Sequence, residues 1–463
     1  MQNYRAMMVF VLLLLSPALA LAQSSLGGDV KPGRALRLTI TGEMKINFVD
    51  RNDSYFGAAL GDAGTGLAIS PLGSGHSGWD GEGGDFLIDP LVYLGIDAQL
   101  ADGVNAIIKL ETPFDWQTNL RDGNLAFNIG AAKVMWEGAV MPELTLELGI
   151  VEYARDFAGN GNPFLIDLDW AENPFNNPMA NADLDDDGVI DAIDGGAPQS
   201  SSSGRGGSLQ PTGVLGHYDL GDRNLDLFLF NLDETDSETI FGAILDMPWD
   251  VGSYTGDLGL AFLNMKNDGS SNLWTVGGGG HLDSDAGELS FYGEFYLQFG
   301  KYDNRNPDGM RIIQDGAFAG YAGARYYLPE YAEERGYVDL SFWEVSGDDD
   351  GTDGKNSNFV SLENNNDSIV LEDAYYGLDV DANYRAFKVR GGMNLDDEWS
   401  VEALLMYSEL QRNGGNRASI GSSSKLGDEI DIRATYRATD YLTFRFGFGS
   451  SINILVAQTE VRF

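Results

Sequence analysis

Apolar and polar residues alternate along much of this 463-residue chain. Between Leu36 and Phe48 the even-numbered positions are apolar apart from one glycine, and the odd-numbered positions are polar or charged. Because successive side chains on a strand point to opposite faces, this pattern predicts a β-strand with one apolar face. The strand is longer than is usual in a soluble sheet and is typical of a tilted strand that crosses a membrane.

The end of the chain repeats the pattern. Leu442, Phe444, Phe446 and Phe448 share one face, and a second alternating run closes on Phe463. A chain that stops on an aromatic residue in this setting resembles the last strand of bacterial outer-membrane barrels. An ordinary amphipathic strand of a soluble sheet is the alternative that this stretch leaves open.

Segments of the same character recur throughout the chain, and about 18 of them are candidate strands. An even count of this size is typical of bacterial outer-membrane barrels, and 16 strands is the alternative count. The sequence therefore predicts an all-β fold, a transmembrane antiparallel β-barrel. The predicted strands are 36–48, 85–100, 104–112, 124–137, 144–156, 213–220, 224–233, 239–247, 255–266, 272–283, 287–302, 314–328, 336–346, 376–394, 399–411, 427–437, 441–449 and 453–463.

The connections between these strands sort by length. If the first strand rises from the periplasm, the longest linkers, at about 51–84, 157–212 and 347–375, become the first, third and seventh outer loops. The opposite side receives short turns such as 101–103 and 395–397. Long extracellular loops and short periplasmic turns are typical of outer-membrane barrels, whereas a soluble sandwich has no reason to sort its loops.

The N-terminus indicates export. Arg5 precedes an apolar run, and the small residues Ala20 and Ala22 suit signal peptidase, so a cleaved signal peptide is expected. No segment reaches the roughly 20 apolar residues that a spanning helix requires, which leaves a barrel as the membrane-embedded form. We expect location in the outer membrane of a Gram-negative bacterium. The predicted organisation is a signal peptide at 1–22, a linker at 23–35 and a barrel at 36–463, including a long extracellular loop at 157–211.

Composition narrows the function classes. The net charge of −42 excludes nucleic acid as a partner, and the absence of cysteine excludes disulfides and thiol chemistry. Acidic outer loops would attract the divalent cations that bridge lipopolysaccharide. The expected partners are therefore outer-membrane lipid and lipopolysaccharide, together with the barrel-assembly machinery, which would recognise the C-terminal strand ending at Phe463.

The third outer loop contains a motif with the spacing of an EF-hand calcium loop. Alternate aspartates would supply oxygen ligands, and Gly188 would permit the sharp turn that the loop requires. We expect a structural Ca²⁺ site, with a solvated acidic loop as the alternative. The candidate ligands are Asp183, Asp185, Asp187, the carbonyl of Val189, Asp191 and Asp194.

Basic residues fall on the polar faces of the predicted strands. A charge facing lipid costs about 2–4 kcal/mol at the midplane, so these side chains should point into the lumen. They would form a basic path for solutes, unless they only pair with Glu43, Glu111, Glu402, Asp431 and Glu460. The candidate path residues are Arg37, Lys45, Lys109, Lys388, Arg390, Arg433, Arg437, Arg445 and Arg462.

The stretch from Tyr337 to Asp350, continuing at 381–384, resembles the alginate-export family of outer-membrane proteins. The resemblance implies an 18-stranded barrel that passes an anionic uronate polymer through an arginine-rich lumen. The calcium-type loop and the overall acidity depart from that family.

The expected function is a passive outer-membrane channel for anionic solutes or an anionic polysaccharide such as alginate. A general diffusion porin, with its third loop folded inside as an acidic constriction, is the alternative. A barrel enzyme or a calcium-binding adhesin is a weaker reading, because no catalytic cluster is recognisable and no enzymatic activity is expected.

Overall fold

The structure is a computed structural model. The structure describes residues 37–51, 85–111, 128–161, 163–168, 211–233, 238–266, 271–301, 313–328, 336–347, 355–357, 359–360, 367–369, 372, 383–411, 425–450 and 454–462.

Eighteen long antiparallel strands form a single sheet in which each strand pairs with the next along the chain. They are β1 (Arg37–Arg51), β2 (Asp85–Ala101), β3 (Val104–Glu111), β4 (Asn128–Glu137), β5 (Leu144–Ile150), β6 (Thr212–Asp219), β7 (Asn224–Asp233), β8 (Glu238–Pro248), β9 (Tyr254–Lys266), β10 (Asn272–Ser284), β11 (Leu289–Lys301), β12 (Ile313–Tyr327), β13 (Tyr337–Val345), β14 (Tyr384–Asn394), β15 (Trp399–Leu410), β16 (Lys425–Thr439), β17 (Leu442–Gly449) and β18 (Ile454–Arg462).

The sheet closes on itself. β18 pairs antiparallel with β1, from Arg462 opposite Glu43 to Leu455 opposite Asp50. Closure gives every long strand two neighbours, so the backbone groups of the sheet are satisfied internally. The predicted class, an antiparallel barrel of 18 strands, is confirmed.

The apolar face of the strands points away from the barrel axis. In β13, Val338, Leu340 and Phe342 point outward and stay exposed at 43%, 47% and 47%, while Asp339 and Trp343 point inward and are buried. This arrangement is the reverse of a soluble barrel. The same outward set on other strands includes Ile40, Leu229, Phe262, Phe295, Leu405, Ile432 and Phe446.

The connections sort as the sequence predicted. One end of the barrel carries short turns such as 102–103, 285–288 and 440–441, and the other end carries the long connections 52–84 and 151–211. Among the residues described, no helix is long and apolar enough to span a membrane.

Two predicted strands differ most from the observed ones in their bounds. The fifth strand ends at Ile150 instead of continuing to residue 156, because Gly149 takes a φ of +131° and the chain leaves the wall for the barrel interior. The fourteenth strand begins at Tyr384, and the first residues of its predicted range, from 376 to 382, lie outside the described part of the chain.

Candidate functional site

The chain after β5 turns into the barrel and runs along its inner wall. We call residues 151–161 and 163–168 the L3 segment. Two short strands within it, Ala154–Arg155 and Ile166–Asp167, pair antiparallel, so the segment folds back on itself inside the barrel. An inward-folded third loop was part of the alternative reading of the sequence, and these described residues lie where that alternative placed them.

Polar contacts tie the L3 segment to successive strands. The Tyr153 hydroxyl donates to Asp226 Oδ2 of β7 at 2.8 Å, and Arg155 pairs with Asp246 of β8. Burial raises the pKa of the Tyr153 hydroxyl, and the neighbouring Asp226 carboxylate raises it further, so the hydroxyl stays a neutral donor. Further round the wall, Asn160 Nδ2 donates to the Tyr321 hydroxyl of β12 at 3.1 Å.

Aromatic packing completes the attachment. Phe164 is buried, and its ring meets Tyr321 and Trp343 edge-to-face at centroid distances of 5.1 and 5.3 Å. Phe157 packs on Gly259 of β9, where a Cβ would lie 1.8 Å from its ring. The glycine leaves the space that Phe157 fills, so wall and segment are complementary in shape.

A buried carboxylate lies beneath this packing. Glu294 of β11 is 3% exposed, and its two oxygens accept hydrogen bonds from Tyr296 at 2.5 Å and Tyr321 at 2.9 Å. The backbone of Ala158 also hydrogen-bonds to it. Wall and L3 segment therefore share one polar network under the aromatic layer.

Residues of the seventh outer loop also enter the barrel. We call the described residues 359–360, 367–369 and 372 the L7 segment. The Val360 backbone exchanges two hydrogen bonds with the Gln298 side chain of β11, at 2.7 and 2.8 Å, and the Ile369 N–H donates to Asp431 of β16 at 2.8 Å. Both long loops thus narrow the lumen, and their contacts overlap on the wall around β11 to β13.

Three of the predicted path residues hold the L7 segment. Lys388 Nζ lies 2.8 Å from Asp367 Oδ2 and 2.7 Å from Glu372 Oε1, and it sits 3.8 Å from the Trp343 ring centre. Arg390 pairs with Asp367 as well. Arg433 Nη2 donates to the main-chain oxygen of residue 367 at 2.7 Å.

Other predicted path residues line the wall where β16–β18 meet β1. Arg445 Nη1 donates to Gln458 at 2.7 Å and pairs with Glu460, which also lies 2.6 Å from Arg462. The Arg462 side chain is 60% exposed and the Arg445 side chain 42% exposed. These two arginines therefore present guanidinium groups to the open part of the lumen while sharing one carboxylate.

The remaining predicted path residues follow on β1, β3 and β16. Lys45 Nζ lies 2.8 Å from Glu43, and Lys109 pairs with Glu152 of the L3 segment. Both ammonium groups stand near the Tyr93 ring, at 5.4 and 5.3 Å from its centre. Arg37 and Arg437 are exposed.

The nine cations thus lie on inward-facing positions, and seven of them are paired with acids or with the L7 backbone. Glu43, Glu402, Asp431 and Glu460, named as the alternative partners, all take part in such pairs. Positive and negative side chains therefore lie side by side on the described lumen wall. A path for solutes along these residues stays a prediction.

A pocket lies between the two loop segments, with 260 Å³ of space that includes an opening to solvent. Arg325, Lys388 and Arg390 contribute cations, and Tyr292 and Trp343 contribute rings. Arg325 Nε donates to Asp339 at 3.0 Å and stacks over Tyr337 at 4.8 Å from the ring centre.

The predicted calcium ligands, from Asp183 to Asp194, lie outside the described residues, as does Phe463. Within the part of the chain that is described, no group of three or more His, Asp or Glu is arranged to hold a metal ion.

Sequence reasoning missed the apolar inner wall. Several inward positions on β7, β8 and β9 are apolar and buried, although their outward neighbours are apolar too. A strand that is apolar on both faces is usually covered on both faces. Two apolar faces in the sequence therefore indicate that other segments of the polypeptide fill the barrel interior. The inward residues are Phe228, Phe230, Ile240, Ile244, Leu263 and Met265.

No protein family model and no curated protein matches the chain, so the resemblance to the alginate-export family is not confirmed. Among solved structures it is similar to Pseudomonas aeruginosa OpdQ, with 10% identity over 92% of this chain and 98% of that chain and a TM-score of 0.49. Pseudomonas aeruginosa OccK2 (OpdF), solved in complex with glucuronate, gives 11% identity, 92% and 95% coverage and a TM-score of 0.49.

A triple mutant of the Rhodopseudomonas blastica porin gives 14% identity, 92% and 99% coverage and a TM-score of 0.39. The likeness is one of fold, a porin-like β-barrel. Identities and TM-scores of this size carry no information about the solute.

Proposed function

We propose that the protein is a passive channel of the bacterial outer membrane. The observation that carries this proposal is the closed barrel with an apolar outer face and charged residues on its inner face. An apolar exterior is stable in hydrocarbon, where closure satisfies every strand, and charged inner walls hold water. The predicted export signal and the sorted loops support the same location, with long loops outside and short turns in the periplasm.

We propose small anionic solutes as the preferred cargo. Arg445 and Arg462 expose guanidinium groups to the lumen, and rings of charged side chains set the selectivity of pores. An anionic polysaccharide such as alginate is the more specific form of this proposal. It would have to pass both loop segments, which fill part of the interior.

A general diffusion porin is the second candidate, favoured by the L3 segment. Its inward position suits a constriction that selects mainly by size, and the paired charges of the wall would give only a weak preference for anions. We also propose a calcium site in the third outer loop, contacts with lipopolysaccharide and recognition by the assembly machinery, each on the evidence of the sequence.

Liposome swelling separates the two candidates. Purified protein in liposomes would be exposed to a neutral sugar and to the uronate of the same size. Faster entry of the uronate supports an anion-preferring channel, and equal rates support a general porin. No swelling with either solute contradicts the channel proposal, provided that gel migration before and after heating shows a folded barrel.

A further inference from the structure

The acidic residues of the L7 segment lie on cations that the sequence assigned to the solute path. We propose that this segment is an intramolecular competitor of anionic solutes. In this view Asp367 and Glu372 occupy a carboxylate site formed by Lys388, Arg390 and Arg433, and a solute carboxylate enters by displacing them. The inference rests on the proposed channel function and specifies where the anion binds.

The contacts have the form of carboxylate recognition. Asp367 is bridged by two cations, with Lys388 on one oxygen and Arg390 on the other. Glu372 offers both of its oxygens to Lys388 Nζ, at 2.7 and 2.8 Å. Charge-assisted bonds to both oxygens of a carboxylate are the geometry by which proteins bind free carboxylates.

Burial makes the exchange selective. Lys388 is 2% exposed, and Asp367 and Glu372 are 4% and 1% exposed. Removing one partner of a buried pair leaves an uncompensated charge, so the loop acids cannot leave unless another anion replaces them. A neutral solute cannot make this replacement. The site therefore distinguishes carboxylates from neutral molecules of the same size.

The neighbouring pocket opens the site to solvent and adds Arg325 to its cations. Its 260 Å³ lies beside Asp367 and is lined by Arg325, Lys388 and Arg390. The buried Nε of Arg390 makes no hydrogen bond within the described residues and lies 3.6 Å from Glu402 Oε1.

Block of the channel current by glucuronate tests the exchange. Asp367→Asn and Glu372→Gln each weaken the internal competitor, so the concentration for half-block should fall by about tenfold, within the roughly 5- to 150-fold range of coupled sites. Glu147→Gln is the matched control, because it removes a buried lumen carboxylate that pairs with Lys133, which is not a path residue, away from the L7 segment. An equal effect in all three variants, or no change, would overturn the inference.

A thiol label gives a second readout that does not depend on the substituted acids. The chain contains no cysteine, and Ser368 is fully buried between the two acids, so Ser368→Cys introduces one hidden thiol. Glucuronate should speed the reaction of this thiol with a charged thiol reagent by about tenfold or more, because binding of the anion is coupled to displacement of the L7 segment. The exposed reference Ser253→Cys should react at one rate throughout.

An unchanged Ser368→Cys rate in a channel that glucuronate blocks would show that the anion binds without displacing the loop. A wild-type barrel that carries no current would instead refute the proposed function. The two failures are therefore distinguishable.

Discussion

Removal of one ring should release the L3 segment and widen the channel. Phe164 is 3% exposed and meets the rings of Tyr321 and Trp343 edge-to-face. A buried Phe→Ala change costs about 3–5 kcal/mol, and each aromatic pair accounts for about 0.5–1.5 kcal/mol beyond the area it buries. Since every 1.4 kcal/mol is tenfold, the population with the segment detached should rise by at least about 100-fold in Phe164→Ala.

Single-channel recording in planar bilayers measures the effect directly. Phe164→Ala should show a higher conductance or frequent transitions to a higher level, because a detached L3 segment no longer narrows the lumen. Phe342→Ala is the matched control, because it also removes a phenyl ring, but from an outward position of β13 that is 47% exposed. Its conductance should equal that of the wild type.

The refuting result is equally clear. If both variants conduct as the wild type does, with the same noise, the L3 segment does not limit the current. The reasoning about an inner constriction would then be wrong even if the barrel is a channel.

Three further predictions test other parts of the structure. Lys388→Met leaves the buried Glu372 without its cation and Asp367 with Arg390 alone, and it should destabilise the barrel by about 3–5 kcal/mol, seen as heat-modified gel migration at a lower temperature; Lys45→Met, at a partly exposed pair, should cost about 1 kcal/mol or less, and equal shifts would contradict the burial argument. Gly149→Ala places a Cβ 2.2 Å from a main-chain oxygen at a φ of +131° and should reduce the stability of the barrel by more than about 1 kcal/mol, seen as the same change in gel migration at a lower temperature. Gly216→Ala, whose added Cβ has its nearest neighbour 3.4 Å away, should be tolerated. Asp187→Asn should abolish a calcium-dependent gain in protease resistance of the third outer loop, and a wild type that is cleaved alike with calcium and with chelator would remove the calcium site.

The barrel itself could be predicted from the sequence because its determinants are local. Alternation identifies which residues share a face, as in the run from Leu36 to Phe48, and the sorted linkers indicate which ends meet which side of the membrane. Pairing of the last strand with the first follows from closure, and the structure shows it between Glu43 and Arg462.

The interior could not be predicted in the same way. Alternation shows that Lys388 faces inward, but it does not show what covers it. Asp367 approaches Lys388 and Arg390 because the seventh loop folds back over β14, a contact that depends on the path of a long connection. The apolar inner wall was the available signal, since residues such as Phe230 and Ile240 face inward and would not line open water.

The most direct test of the channel is the current through a single purified barrel in a planar bilayer under a salt gradient. We predict discrete conductance steps, a reversal potential whose sign shows that anions pass more readily than cations, and partial block of the current by an added uronate oligomer. Steps with cation selectivity and no block would leave a general porin. The absence of steps from protein that shows folded, heat-modifiable migration would contradict the central claim that this barrel is an open path across the membrane.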